Sequence, residues 1–300
     1  MRSSVGGRFL ALCGLSLLSS APLAAQAPST DVWPAPLSRV GDSLVVGTPR
    51  NLTNRPGYDN QPSFTPDSRA ILYTSIREDG QADIYRYDLA SGAITRLTST
   101  PESEYSPTAT PDGKHFSVVR VERDSTQRLW RFPLAGGEPS LVLEQVKPVG
   151  YHAWVDDTTL ALFVLGQPAT LQLATVRDGA ARVVASNIGR SLARGPQGLV
   201  TYVQRDSTRA LVVERSAAGG DARDLVTLAS RAADFVAWTP TGDLLTGRGA
   251  GIDRWNGRRG AAAAWLPVAE FSGATLRNVS RLAVSPDGRW LAFVAEASAP

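Results

Sequence analysis

A short turn motif recurs along the chain at a nearly constant spacing. Counted from the first residue of each copy, the intervals are 45, 45, 39, 45 and 46 residues. The copies are Pro66-Asp67-Ser68, Pro111-Asp112-Gly113, Asp156-Asp157, Gly195-Pro196-Gln197-Gly198, Pro240-Thr241-Gly242 and Pro286-Asp287-Gly288. A period of this length predicts a repeat architecture in which each copy contributes one structural unit.

The unit is clearest between Tyr58 and Leu97, where short runs rich in β-branched and aromatic residues alternate with turn residues. Pro66 cannot continue a central strand, and Asp67 can bond its own backbone to start a reversal. The unit therefore predicts four antiparallel strands joined by tight turns. Six such units predict an all-β, six-bladed β-propeller of four-stranded antiparallel blades, because one blade cannot bury both of its faces alone.

The two ends of the chain predict how the ring closes. The sixth turn joins only two strand-like runs, RLAVS before it and RWLAFVAEA after it, whereas residues 31–53 resemble the outer strand pairs of other units. We therefore assign 31–53 to the outer strands of blade six, 54–280 to blades one to five and 281–300 to the inner strands of blade six, within a single domain spanning 28–300. N-terminal strands that complete the last blade would remove two exposed sheet edges.

Four segments carry a resemblance to a known family. FTPDSRAILYTS, REDGQADIYRYDL, ATPDGKHFSVV and VSPDGRWLAFVAE resemble the WD-like repeat of the TolB-type β-propellers. The chain lacks the α/β domain that precedes the ring in TolB itself, and its third and fourth turns lack the full motif. The resemblance implies an exported six-bladed propeller that binds proteins or small ligands, a fold that also occurs as a non-catalytic domain beside enzymes.

The first 27 residues have the features of a signal peptide. Arg2 and Arg8 precede the apolar run FLALCGLSLL, and a small-residue stretch follows, with cleavage after Ala25 or Ala27. The run is too short for a stable membrane anchor. We therefore expect a periplasmic or secreted protein whose only cysteine, Cys13, is removed, so that ring closure must take the place of disulfides.

Composition excludes a nucleic-acid partner. The formal net charge is +3 and the basic residues are scattered, without a basic run. No metal-ligand spacing surrounds His115 or His152, the only two histidines, and no phosphate-binding glycine loop is present. We expect neither a metal nor another cofactor.

Propeller geometry indicates where a ligand would bind. Connections between neighbouring blades gather around the mouth of the central channel, where such rings usually bind. Alignment on the turn motif places two successive residues of each repeat at this mouth. The two equivalent sets are Asn60, Tyr105, Gly150, Gly189, Asp234 and Ser280, and, one step on, Gln61, Ser106, Tyr151, Arg190, Phe235 and Arg281.

Two functions fit these residues. In the first, the mouth binds an envelope protein, a peptide or an oligosaccharide without catalysis, with tyrosine anchors and Arg190 or Arg281 engaging an anion. In the alternative, Asp59 and Glu104, which occupy equivalent places on neighbouring blades, act as acid and base or hold a cation in a lyase or hydrolase. The candidate residues are Tyr58, Asp59, Asn60, Glu104, Tyr105, Tyr151, His152, Arg190, Asp234 and Arg281.

Other conspicuous residues have a structural interpretation. Asp67, Asp112 and Asp287 are placed to close hairpin turns. The seven tryptophans fall mostly at strand positions, where they are expected to fill space between blades.

Overall fold

The chain forms six antiparallel sheets of four strands each. The computed structural model describes residues 29–229, 234–257, 264–272 and 276–297. The predicted signal peptide, residues 1–27, lies outside the described residues and stays a prediction. Among the described residues, no helix has the length and hydrophobicity needed to cross a membrane.

The strands follow the repeat, blade by blade. Blade six takes its outer strands from the N-terminus, β1 (Asp31–Val40) and β2 (Ser43–Val46). Blade one contains β3 (Tyr58–Phe64), β4 (Ala70–Ile76), β5 (Ala82–Asp88) and β6 (Ile94–Arg96). Blade two contains β7 (Ser103–Ala109), β8 (His115–Val121), β9 (Gln127–Pro133) and β10 (Ser140–Leu141). Blade three contains β11 (Val149–Trp154), β12 (Thr159–Val164), β13 (Thr170–Thr175) and β14 (Ala181–Ser186).

The second half of the chain repeats this order. Blade four contains β15 (Ile188–Arg194), β16 (Val200–Arg205), β17 (Ala210–Arg215) and β18 (Arg223–Thr227), with a 3₁₀ turn at Pro196–Gly198. Blade five contains β19 (Val236–Trp238), β20 (Asp243–Arg248), β21 (Gly251–Asn256) and β22 (Leu266–Glu270). The inner strands of blade six are β23 (Leu276–Val284) and β24 (Trp290–Ala297). Blade six thus begins at Leu276, earlier than the predicted boundary at 281, because β23 continues to pair with β24 on the far side of a bulge.

The blades form a closed ring. The innermost strands contact one another in the cycle β3, β7, β11, β15, β19, β23 and back to β3. Strand β1 pairs antiparallel with β24 from Asp31 opposite Ala295 to Pro36 opposite Trp290, and β2 pairs with β1. The prediction that N-terminal strands complete the last blade is therefore confirmed.

The N-terminal strands also contact the blades on either side of blade six. Toward blade one, Thr30 accepts a backbone hydrogen bond from Asp59 at 3.0 Å and donates one to Gly57 at 2.9 Å. Toward blade five, Arg39 forms an ion pair with Asp243. These contacts bind the start of the described chain to three blades and reinforce the closure.

The hydrophobic core is divided among the six junctions between blades. Each junction holds its own apolar cluster, with residues contributed by both neighbouring blades. All seven tryptophans belong to these clusters or pack against them, as predicted. Burial of apolar area at every junction is what favours a closed ring over separate blades.

The turn motifs work as the sequence indicates. In blade one the Thr65 hydroxyl donates to Asp67 Oδ1 at 2.6 Å, and the backbone N–H of Arg69 donates to the same oxygen at 3.0 Å. Blades two and six repeat this arrangement at Asp112 and Asp287. The bond from Thr65 lowers the pKa of Asp67, because it stabilises the ionised carboxylate.

Candidate functional site

The mouth of the channel contains a cavity of about 130 Å³ lined by all six blades. One residue of each blade comes from the set aligned on the turn motif: Gln61, Ser106, Tyr151, Arg190, Phe235 and Arg281. Larger clefts exist on the outside of the ring, for example one of about 480 Å³ beside Pro66, but that cleft is lined by two neighbouring blades only. The central cavity, which we call the mouth cavity, is the place where the whole ring contributes to one site.

Bulges in the innermost strands direct these side chains into the channel. In blades one, two and six the pairing register shifts after Asn60, Tyr105 and Ser280, respectively. The next residue in each blade has a positive φ: 59° at Gln61, 55° at Ser106 and 46° at Arg281. A bulge adds one residue to a strand and re-aims its side chain. Left-handed backbone at a residue other than glycine is uncommon, and such strain concentrates at binding sites.

Arg281 lies against two aromatic rings in the mouth cavity. Its guanidinium carbon is 4.1 Å from the ring centroid of Phe235 and 5.0 Å from that of Tyr151. It also donates a hydrogen bond from Nη2 to the Tyr151 hydroxyl at 2.9 Å. No ion pair joins Arg281 to a carboxylate of the described residues, which include every Asp and Glu of the chain. Its position is therefore held by rings and a hydroxyl, and its charge is not neutralised.

Arg190 forms an ion pair with the carboxylate of Asp234. Its Nε lies 3.0 Å from Oδ2 of Asp234, and Nη2 of Arg205 lies 2.8 Å from Oδ1 of the same side chain. A Cβ on Gly189 would come within 2.5 Å of Asp234 Oδ1, so this close packing requires a glycine. Two guanidinium groups share this one carboxylate, and with Arg281 the mouth is locally positive.

Tyr58 lies near the charges of Arg281 and Arg190, and Tyr105 lies close to Tyr58. Burial raises the pKa of Tyr58 to about 12, and the charges of Arg281 and Arg190 are near enough to oppose that rise. Burial also raises the pKa of Tyr105. Neither tyrosine lines the mouth cavity. Tyr58 therefore lies close to the site without forming its wall, and Tyr105 directly precedes Ser106, which does line the cavity.

His152 lines the mouth cavity and is only 7% exposed. Its Nε2 lies 2.7 Å from the hydroxyl oxygen of Ser117, which also accepts a hydrogen bond from Trp154 Nε1 at 2.9 Å. Burial lowers the pKa of His152 to about 3, so the imidazole is neutral at physiological pH.

Three predicted residues point away from the mouth. Asp59 is fully buried and forms an ion pair with Arg55 at 3.0 Å. Asn60 donates to the Thr30 hydroxyl at 3.2 Å, and its side-chain oxygen accepts the backbone N–H of Gln61. These contacts use the two side chains to hold the N-terminal segment and the bulge in place, and neither side chain lines the mouth cavity.

Glu104 is the third of these residues. It is fully buried, accepts a hydrogen bond from Thr100 and lies 3.1 Å from Nε of Arg120, whose guanidinium stacks on Trp130. Burial raises the pKa of both Glu104 and Asp59, although each has an arginine partner. Neither carboxylate lines the mouth cavity, because each is held inside its blade by its arginine partner.

The structure thus brings together four of the ten candidate residues in the cavity wall, Tyr151, His152, Arg190 and Arg281. Asp234 supports Arg190 from behind. Sequence reasoning missed the partners Ser117 and Arg205, which come from strands next to the innermost ones. No local pattern identifies them, because their contacts cross between strands or between blades.

Comparison with known proteins agrees with the architecture. Residues 43–183 match the family described as TolB beta propeller domain. No curated protein matches the chain by sequence. A TolB-type structure from Agrobacterium tumefaciens superposes with a TM-score of 0.70 at 14% identity, over 90% of this chain and 100% of that one.

Two further solved structures show the range of the fold. TolB from Acinetobacter baumannii gives a TM-score of 0.59 at 16% identity, covering 89% of this chain and 65% of that one. A gluconolactonase from Xanthomonas campestris gives a TM-score of 0.62 at 11% identity, covering 91% of this chain and 99% of that one. At these identities the likeness shows the fold alone.

Proposed function

We propose that this chain, a TolB-like six-bladed β-propeller, is a non-catalytic binding protein that holds an anionic group of a protein segment, peptide or oligosaccharide at its channel mouth. The observation that carries the proposal is Arg281. It is a guanidinium in a cavity formed by all six blades, held in place without a carboxylate partner.

The surroundings of Arg281 suit the capture of an anion. The rings of Tyr151 and Phe235 pack against the guanidinium, and the Tyr151 hydroxyl accepts a hydrogen bond from Nη2. The remaining N–H groups form a planar fork that matches a carboxylate or phosphate. Because the side chain is already ordered, binding costs less conformational entropy than it would for a mobile arginine.

Arg281 is a better anion site than Arg190. Asp234 already accepts a hydrogen bond from Nε of Arg190 at 3.0 Å. A ligand anion would compete with that carboxylate for Arg190, whereas at Arg281 it would meet a charge that has no counter-ion. Arg190 therefore contributes positive potential to the mouth, and Arg281 is the direct contact.

The alternative function, a lyase or hydrolase that uses Asp59 and Glu104, gains no support from these contacts. A general acid or base must reach the substrate within hydrogen-bonding distance. Both carboxylates are fully buried, paired with Arg55 and Arg120, and absent from the cavity wall. The binding function requires no rearrangement of these pairs.

We also propose that the protein works outside the cytoplasm, with an envelope protein, peptide or oligosaccharide as its partner. This part rests on the sequence of residues 1–27, which has the charged start, apolar run and small-residue end of a signal peptide. Expression of the full chain, followed by fractionation and mass determination of the mature N-terminus, tests it. Recovery of the uncleaved chain in the cytoplasm would contradict it.

The binding function can be tested by selection followed by substitution. The mature protein is screened against a displayed library of random dodecapeptides and an array of neutral and acidic glycans. We expect the retained ligands to carry an acidic group whose neutralisation, for example Glu to Gln in a resynthesised peptide, abolishes binding. Affinity is then measured for the wild type, Arg281→Gln and Arg289→Gln.

Arg289 is a matched control, because it is a largely exposed arginine in the turn of the same blade, with its Nε 3.8 Å from Asp287. Loss of a charge-assisted bond costs about 1.5–3 kcal/mol, so Arg281→Gln should weaken binding by about ten- to hundredfold. Arg289→Gln should bind like the wild type. Equal affinities for wild type and Arg281→Gln at unchanged thermal stability would refute the proposal.

A further inference from the structure

Three buried polar atoms without a hydrogen-bond partner belong to residues that line the mouth cavity. They are Oγ of Ser63, Oγ of Ser106 and Nδ1 of His152, contributed by blades one, two and three. Such atoms are rare in folded proteins, and each calls for an explanation. Their grouping in one cavity indicates that its occupant supplies the missing partners.

The two serines and the histidine place different demands on that occupant. A hydroxyl both donates and accepts, and its hydrogen can rotate to suit either partner. A neutral imidazole has a fixed division of roles, with one nitrogen protonated and the other not. The chemistry required of the occupant is therefore set by the tautomer of His152.

The network behind His152 selects one tautomer. The Ser117 hydroxyl oxygen lies 2.7 Å from His152 Nε2, 2.9 Å from Trp154 Nε1 and 3.2 Å from the carbonyl oxygen of Thr108. All three bonds form only if Trp154 and His152 Nε2–H donate to the Ser117 oxygen, and Ser117 donates to Thr108. If Ser117 donated to Nε2 instead, its single hydrogen could not reach Thr108 and one bond would be lost. The first arrangement leaves Nδ1 of His152 unprotonated, as an acceptor.

The imidazole keeps this acceptor over a wide pH range. Burial lowers the pKa of His152 to about 3, so the ring stays neutral well below pH 7. Because His152 is only 7% exposed, a charged form would lack the water needed to solvate it.

We propose that Nδ1 of His152 determines ligand specificity, by requiring a hydrogen-bond donor next to the anionic group that Arg281 receives. Both residues line the same cavity of about 130 Å³, so a single small ligand bound there lies next to both of them. The ligand class is a carboxylate with a hydroxyl or an N–H on the neighbouring atom. This inference rests on the proposed binding function and adds the donor requirement to it.

The tautomer is tested directly by NMR of the uniformly ¹⁵N-labelled wild-type protein. The chain has two histidines, so two sets of ring signals are expected. His115 is an internal reference, because its Nδ1 lies 2.8 Å from Asp112 Oδ2 and so carries the proton. We expect His152 to show the opposite pattern, with Nε2 protonated and Nδ1 not. A protonated Nδ1 on His152 would overturn the inference.

The donor requirement is tested with two pairs of small carboxylates. Glycolate and methoxyacetate differ by methylation of the hydroxyl, and N-acetylglycine and N-acetylsarcosine differ by methylation of the amide N–H. A hydrogen bond contributes about 0.5–1.5 kcal/mol, so the unmethylated member of at least one pair should bind about two- to tenfold more tightly. The pair that discriminates shows whether the donor is a hydroxyl, as in a sugar acid, or an amide, as in a peptide.

Two variants distinguish a failure of the donor requirement from a failure of the proposed anion site. His152→Phe should remove the discrimination within a pair, whereas Arg281→Gln should weaken all four probes. If the wild type binds both members of each pair equally but Arg281→Gln weakens them all, the donor requirement is wrong and the anion site stands. If Arg281→Gln weakens none of them, the anion site is wrong as well. The NMR result for the wild type does not depend on either variant folding.

Discussion

Burial of a neutral His152 should make the folded protein lose stability between pH 7 and pH 5. An ordinary histidine has a pKa of about 6.5, whereas that of His152 is lowered to about 3. The unfolded chain therefore binds a proton that the folded chain cannot, so the contribution to stability is present above pH 6.5 and is lost as pH falls toward 3. At pH 5 the gap is about 1.5 pH units, which corresponds to about 2 kcal/mol.

The assay compares urea unfolding at pH 7 and pH 5, followed by tryptophan fluorescence, for wild type, His152→Gln and His115→Gln. Carboxylates titrate in all three proteins, so differences between variants isolate the histidines. We expect His152→Gln to lose about 2 kcal/mol less free energy of unfolding on acidification than the wild type, with His115→Gln as the comparison at the other histidine. Equal losses in His152→Gln and wild type would refute the burial argument.

Two further predictions concern ring closure and the mouth. Leu37→Ala, at a buried position of β1, should cost about 2–5 kcal/mol of unfolding free energy. Val45→Ala, on the exposed side of β2, should stay within about 0.5 kcal/mol, and equal effects would mean that the N-terminal strands are not part of the cooperative unit. Gly189→Ala would place a Cβ 2.5 Å from Asp234 Oδ1, so it should destabilise by about 1–3 kcal/mol in thermal melts and weaken ligand binding. An unchanged melting temperature would show that Asp234 can move freely.

Much of the architecture could be predicted from the turn spacing, because each turn depends on local chemistry. Thr65, Asp67 and Arg69 form their bonds within five residues, so the sequence alone identifies the reversal. The start of blade six was less predictable. Strand β23 begins at Leu276, before the residues aligned on the motif, because a bulge allows pairing to resume on its far side.

The sequence predicted only some of the residues that line the mouth cavity, and the difference has a physical cause. Alignment on the turns found Tyr151, Arg190 and Arg281, because each lies in or directly beside an irregularity of its innermost strand. Alignment also placed Asp59 and Glu104 at the mouth, but neither lines the mouth cavity. Their orientation depends on Arg55 and Arg120, which lie outside the aligned positions and bind the carboxylates inside the blades. Residue type at an equivalent position does not reveal such a partner.

Closure of the ring and formation of the proposed site depend on each other. Arg281 lies on β23, which pairs with β24, and β24 is covered on its other side by β1. The hydroxyl that holds Arg281 belongs to Tyr151, 130 residues earlier in the chain and in blade three. The contact across the channel forms only when blades three and six are held face to face by the complete circle. Loss of the N-terminal strands should therefore remove the anion site even though none of the residues that line the mouth cavity belongs to them.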